Sequence, residues 1–214
     1  MPADFTISQN EADLTVRADD VSKVYDGNTY GVTASAGIEG ATILYKDANG
    51  DYTLTESPKQ KDVGSQTVEF KASLYGYKDA YGSAQLEVKQ RKVTIVSGSD
   101  EKTYDGTPLT KHSVSVSGDG FVEGEGVDYT YTGSQTYVGS SENAFTYKEK
   151  EGTELSNYSI TTEFGELVVN DGTSEHPVDQ LVVSKTHDEN KAYALGEEVT
   201  FRITVTNIYD TPMT

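Results

Sequence analysis

The sequence predicts an all-β protein. Two small β units follow one another, each sandwich-like or a partly open barrel, and an incomplete β domain comes after them. Three observations carry this. Short runs alternate apolar and polar residues, the period of a half-buried strand, and no window of about 11 residues carries a helical stripe. A Tyr-Asp-Gly tripeptide occurs twice in the same frame, as Tyr25-Asp26-Gly27 and Tyr104-Asp105-Gly106. The aromatic content is 15 Tyr against 6 Phe with no Trp, and hydrophobic residues make up 35% of the chain. With abundant Val, Thr, Ser and Gly, that composition suits pleated surfaces with modest cores and Tyr rings at their rims.

The repetition extends well beyond the tripeptide. Leu14-Thr15-Val16 precedes Tyr25 as Val93-Thr94-Ile95 precedes Tyr104. After the tripeptide, Val32-Thr33-Ala34-Ser35 answers Val114-Ser115-Val116-Ser117, and Val63-Gly64-Ser65 answers Val138-Gly139-Ser140. Near the end, Tyr77, Gly82, Leu86 and Val88 answer Tyr158, Gly165, Leu167 and Val169. Landmarks in one order with small changes in loop length mark homologous units, here residues 13–90 and 91–170. Phe5-Thr6-Ile7-Ser8-Gln9 is similar to Leu86-Glu87-Val88-Lys89-Gln90, so residues 1–12 read as the closing strand of an upstream repeat or as an ordinary N-terminal strand.

Within repeat 1, strands are expected at Leu14–Val16, Val32–Ala34, Thr42–Tyr45, Thr67–Phe70 and Ala84–Val88. Asp47-Ala48-Asn49-Gly50 reads as a hairpin turn before Tyr52, because Asn-Gly supplies the positive φ that a tight turn needs. Residues 171–179 are polar, with Gly and Pro, and read as a flexible linker. Residues 180–214 hold two strand signals. The second places Val199, Phe201, Ile203 and Val205 on one face. Two strands cannot close a core alone, so this domain reads as incomplete.

Charge and composition exclude several function classes. A net charge of −18 repels nucleic acid and anionic lipid and favours a soluble monomer. No stretch approaches 18 apolar residues, so membrane insertion is not expected. The opening Met1-Pro2-Ala3-Asp4 lacks the basic and apolar regions of a signal peptide, which leaves a cytosolic protein or a piece of a longer one. The absence of Cys removes disulfides and thiolate chemistry. His112, His176 and His187 are scattered, no Gly-x-Ser-x-Gly elbow is present, and no enzyme is expected. A glycosidase would need two carboxylates facing each other across a cleft.

The remaining motifs have bland readings. Asp47, Asn49 and Asp51 offer oxygen ligands at calcium-like spacing, yet the run is too short for an EF-hand loop and lacks its distal Glu; the hairpin turn is preferred. Gly118–Gly126 superficially resembles a phosphate loop, but it carries no Lys and its carboxylates repel phosphate, so it reads as a flexible acidic loop. Tyr129-Thr130-Tyr131-Thr132 reads as alternate faces of one strand rather than a binding platform. The Tyr-Asp-Gly tripeptides read as turns, with Gly tolerating φ > 0, Asp bonding nearby backbone, and Tyr25 and Tyr104 at the core edge with surface hydroxyls. The functional alternative is a Tyr loop that stacks on a sugar. The repeats differ most at residues 43–61 and 121–135, where a ligand site would be expected.

Lys23 to Gly27, Lys102 to Pro108 and Gly165-Glu166-Leu167-Val168-Val169 together resemble the tandem Tyr-Asp-Gly (YDG/MBG-type) repeats of Gram-positive bacterial surface adhesins. The segment from Lys185 to Asn207 is similar to the opening of the Ig-like repeats of such proteins. The resemblance implies an extracellular protein, anchored to the cell wall in its parent, that acts as a non-catalytic stalk or spacer. Its partners would be neighbouring repeats of the same chain. The alternative within this resemblance is an adhesion module that binds host glycan, mucin or protein through exposed Tyr and loop residues. The resemblance also marks Lys185 as the place where an intact third domain could carry an isopeptide lysine, although the later strands that would supply its partners are missing.

Overall fold

The computed structural model describes residues 13–172, 182–186 and 194–209. The expected closing strand at 1–12, most of the expected linker, and His176 and His187 lie outside the described residues. The fold is all-β, with a single 3-10 turn, Leu155–Asn157, among the described residues. No helix among them is long and apolar enough to cross a membrane.

Repeat 1 forms seven strands: β1 (Val16–Arg17), β2 (Val21–Val24), β3 (Ser35–Ala36), β4 (Thr42–Lys46), β5 (Tyr52–Leu54), β6 (Gly64–Ser73) and β7 (Ala80–Lys89). Five of them make one sheet in the order β2-β7-β6-β4-β5. β2 runs parallel to β7, and the remaining pairs are antiparallel. Alternation along β6 and β7 sends Val68, Phe70, Ala84 and Leu86 to one face, where they join Val32 and Tyr45 in a buried core. Gly82 lies opposite Phe70, and a Cβ there would come within 2.5 Å of the ring, so the ring occupies the space a side chain would need.

The strand expected at Val32–Ala34 is displaced to Ser35–Ala36. Val32 N–H donates to Ser57 Oγ (2.9 Å) and Ala34 N–H donates to the Tyr45 hydroxyl (3.0 Å). Side chains take the donors that a ladder would have used, so pairing with β1 begins only beyond them.

Repeat 2 contributes β8 (Arg91–Ser97), β9 (Asp100–Thr103), β10 (Val114–Gly118), β11 (Val127–Tyr131), β12 (Gly139–Glu142), β13 (Phe145–Glu149), β14 (Tyr158–Glu163) and β15 (Glu166–Asn170). They form sheets β10-β8-β14, β11-β13 and β12-β15-β9. Where repeat 1 runs β6 and β7 unbroken, repeat 2 interrupts their counterparts at Asn143 and Gly165. The buried Asn143 amide donates to the carbonyls of Gly98 and Lys111, both at 2.8 Å. Ser97 Oγ donates to Asn143 O and accepts from Gly165 N–H. A Cβ on Gly165 would lie 2.6 Å from backbone of Ser97 and Gly98, so only glycine fits this break.

By compactness the chain divides differently from its repeats. One unit holds the described residues up to Val93 with Gly118–Gly126 and Glu149–Ile160; the other holds Thr94–Ser117, Val127–Lys148 and the described residues from Thr161 onward. In the second unit Leu109, Val138, Leu167, Val169 and Ile208 form one buried cluster, with Tyr104 and Tyr209 packed against it. Beyond the repeats, β16 (Val182–Thr186) and β17 (Arg202–Thr206) pair antiparallel. Phe201, Ile203 and Val205 are exposed, yet Ile208 just after them is only 6% exposed.

Candidate functional site

The two Tyr-Asp-Gly turns occupy the same place in the two repeats. Each follows a strand paired parallel to its repeat's closing strand, β2 on β7 and β9 on β15. Tyr25 N–H donates to Lys89 O (2.9 Å), and Tyr104 N–H donates to Asn170 O (2.7 Å), extending the ladder by one rung. Gly27 (φ 81°) and Gly106 (φ 77°) then turn the chain through a conformation natural only to glycine. Asp26 accepts from Asn28 N–H (2.9 Å) and Asp105 accepts from Thr107 N–H (2.8 Å), each two residues on.

Five positions after each Tyr the chain makes an isolated bridge, Tyr30 with Gln60 and Leu109 with Gln135. Gln60 Nε2 donates to Asp62 O and Gln135 Nε2 to Tyr137 O, both at 2.8 Å. The sequence carries the same correspondence as Gln-x-x-Val-Gly, Gln60 to Gly64 and Gln135 to Gly139, beyond the landmarks named above. One difference follows from a single side chain. Tyr30 bonds Asp26 through its hydroxyl and draws the Lys23 ammonium over its ring at 5.9 Å. Leu109 offers neither, and Lys102 instead binds Asp105 at 2.6 Å. The Tyr30 hydroxyl, then the Asn28 donors, hold the Asp26 carboxyl below its ordinary range; Lys102, then Thr107, do the same for Asp105.

Tyr25 is not at a core edge. It is 2% exposed, and its ring meets the edge of Tyr158 at 5.6 Å and 80°. Its hydroxyl donates to Glu125 Oε1 (2.7 Å), while Tyr158 donates to Glu125 Oε2 (2.6 Å) and accepts from Val122 N–H (3.1 Å). Phe121 packs on Tyr158 at 5.0 Å. Beside them, fully buried Asn157 accepts from Val63 N–H (2.8 Å) and donates to Asp62 (2.9 Å). Gln90 Nε2 donates to the carbonyls of Ser156 and Tyr158. Arg91 donates to the carbonyls of Asp119 and Gly120.

The segment Gly118–Gly126 is therefore held on several sides, contrary to its reading as a flexible loop. The reason is hydrogen bonding to distant residues: Arg91 spans two backbone carbonyls of the segment, and the Glu125 carboxylate accepts from two phenols. Burial, then the bond to Glu125, pushes the Tyr158 phenol up to about 12, and the same causes push Tyr25 higher still. Both phenols are thus neutral donors and poor nucleophiles. The arrangement is a clamp, in which one carboxylate holds two phenols.

Each segment where the repeats diverge contributes rings to an aromatic face, Tyr52 to one and Tyr129 and Tyr131 to the other. On the first unit, Tyr52 and Tyr81 meet at 5.5 Å, with Lys46 and Lys71 each 5.9 Å from the Tyr52 ring. Lys46 pairs with Glu69 at 2.7 Å and Lys71 with Asp79 at 3.2 Å. A groove of about 270 Å³ beside them is lined by residues including Asp47, Pro58, Gln66 and Glu69. On the second unit, Tyr129 and Tyr131 share one face of β11, while Thr130 takes the other. His112 stacks on Tyr131 at 4.9 Å, and Phe145 meets Tyr129 at 5.9 Å.

Asp47 does make a hairpin turn. Its Oδ1 accepts from the N–H groups of Asn49 and Asp51 and its Oδ2 from the Thr53 hydroxyl, so the carboxylate is committed to the turn. Among the described residues no three His, Cys, Asp or Glu side chains are grouped so as to hold a metal ion. Lys185 lies opposite Ile203, its ammonium 3.9 Å above the Phe201 ring. No family model matches the chain, and no curated protein matches it.

Proposed function

We propose that the chain is a non-catalytic spacer of a bacterial surface adhesin, built from Tyr-Asp-Gly repeats. The observation that carries this reading is the Glu125 clamp. Repeat 1 offers Tyr25, Asp62 and Val63, and segments of repeat 2 within the same compact unit offer Glu125, Asn157 and Tyr158. Consecutive repeats tied by buried, directional bonds resist bending and transmit load to one another. Force spectroscopy on the full chain tests this. The first compact unit is expected to give way in one event, and Glu125→Ala is expected to lower its rupture force. Release of residues 13–90 ahead of segments 118–126 and 149–160, or an unchanged force in the variant, overturns the reading.

A second reading is favoured by the Tyr52–Tyr81 face. Tyr81 is 61% exposed, and both flanking lysines are neutralised by carboxylates. Such a surface offers an aromatic ring with paired donors and acceptors, the chemistry that holds a neutral sugar ring rather than an anionic one. On a glycan array, the full chain is expected to bind neutral oligosaccharides and to lose that binding with Tyr52→Ala or Tyr81→Ala. Absence of binding, or binding indifferent to both changes, removes this reading.

A further inference from the structure

We infer that the Tyr-Asp-Gly end of each repeat is a docking socket for the chain segment that follows it, with three fixed points of contact. This deepens the spacer reading and rests on it. In repeat 1 the points are the Tyr25 ring, the Val63 N–H and the side chain of Gln90, the first residue after the closing strand. Tyr158 covers the ring, Asn157 Oδ1 takes the N–H, and Gln90 donates to the carbonyls of Ser156 and Tyr158.

Repeat 2 offers the same three points to a different occupant. Tyr104 packs against the cluster that contains Ile208, with Tyr209 beside it. Val138, the counterpart of Val63, donates its N–H to Ile208 O at 2.7 Å. Asp171 follows Asn170 as Gln90 follows Lys89, and it accepts from the Tyr209 hydroxyl at 3.1 Å. A parallel bridge joins Val138 and Tyr209. The two occupants share only a Tyr in second place and differ in what precedes it: one is Asn157-Tyr158 in and after a 3-10 turn, the other is Ile208-Tyr209 after β17.

The common chemistry explains that tolerance. A backbone N–H donates to any oxygen, whether of a side-chain amide or of a carbonyl, and a Tyr ring packs against any apolar or aromatic side chain. The residue after the closing strand sets the polarity of the third contact. The Gln90 amide donates to carbonyls, whereas the Asp171 carboxylate demands a donor and receives a phenol. The Tyr-Asp-Gly motif thus recurs because the receiving end must be constant while the docking segment varies.

Amide hydrogen exchange on the full chain tests the second socket. Ile208→Asp is expected to speed exchange at Val138 by at least about 100-fold while amides paired between β12 and β15 keep their protection, the pattern of a segment released from a folded repeat. Asp171→Ala is expected to speed Val138 by about 10-fold, in line with the loss of one hydrogen bond to a charged group. Unchanged exchange at Val138 in Ile208→Asp overturns the inference. So does parallel loss of protection throughout β12 and β15, because Ile208 would then be an integral core residue and not a docked one. Val138, Asp171 and Ile208 lie outside the Glu125 clamp, so failure of this test leaves the force result standing, whereas an unchanged force in Glu125→Ala removes the spacer reading on which the inference rests.

Discussion

Tyr25→Ala is expected to destabilise the first compact unit by about 4 kcal/mol, the range for emptying a buried aromatic site. The ring is 2% exposed and packs edge-on against Tyr158. Its removal leaves a cavity and strips Glu125 of one of its two phenol donors. Tyr25→Phe keeps the ring and removes only the donor, so a cost of about 1.5 kcal/mol is expected. Tyr104→Ala, at the same turn of repeat 2, is expected to cost about 2 kcal/mol, because that ring is only half-buried. Urea unfolding followed by circular dichroism measures all three. Equal, small losses at Tyr25 and Tyr104 would show that Tyr25 is a turn residue and nothing more.

Alkaline pH is expected to loosen the same unit. The ordinary tyrosine phenol titrates near 10.0, while Tyr158 in the folded chain is pushed up to about 12 by burial first and by Glu125 second. The folded state therefore holds a proton that the unfolded chain releases. The stabilisation is fully present below pH 10 and is lost as pH rises through 12, by about 3 kcal/mol for a shift of that size. Tyr25 moves in the same direction for the same causes and adds to the loss. Denaturation midpoints measured across this window should fall, and Tyr158→Phe should flatten the fall. A stability that stays level from pH 10 to 12 would refute a buried, neutral phenol pair.

Both results turn on Glu125, and its role bears on the choice between functions. A carboxylate placed for hydrolysis would face a cleft and keep an oxygen for substrate. Glu125 instead gives one oxygen to each of two buried phenols, and Asp47 spends its carboxylate on its own hairpin. In the groove beside that hairpin, Glu69 is paired with Lys46. The acidic residues with resolved roles in the first unit serve architecture, which is the character the spacer reading requires.

Features that depend on near neighbours were legible in the order of residues alone. Alternation along β6 and β7 marked their buried faces because side chains on a strand alternate with a period of two. The hairpin at Asp47–Gly50 was legible because its bonds close within a few residues. The Tyr-Asp-Gly turns were legible for the same reason, since Asp bonds two residues onward and Gly supplies the positive φ in both copies.

Features whose partners are far apart in the chain became visible only in the folded arrangement. Tyr25 and Glu125 are 100 residues apart, Val63 and Asn157 are 94 apart, and no local pattern couples them. The Val32–Ala34 run looked like a strand, but Ser57 and Tyr45 reached its donors first. Gly118–Gly126 looked like a loose acidic loop, because neither Arg91 nor the two phenols announce their target in sequence. The physical reason is common to all three. Periodicity reports which face of an element is buried, whereas the partner of a buried polar group is chosen by which distant segments the fold brings within hydrogen-bond reach.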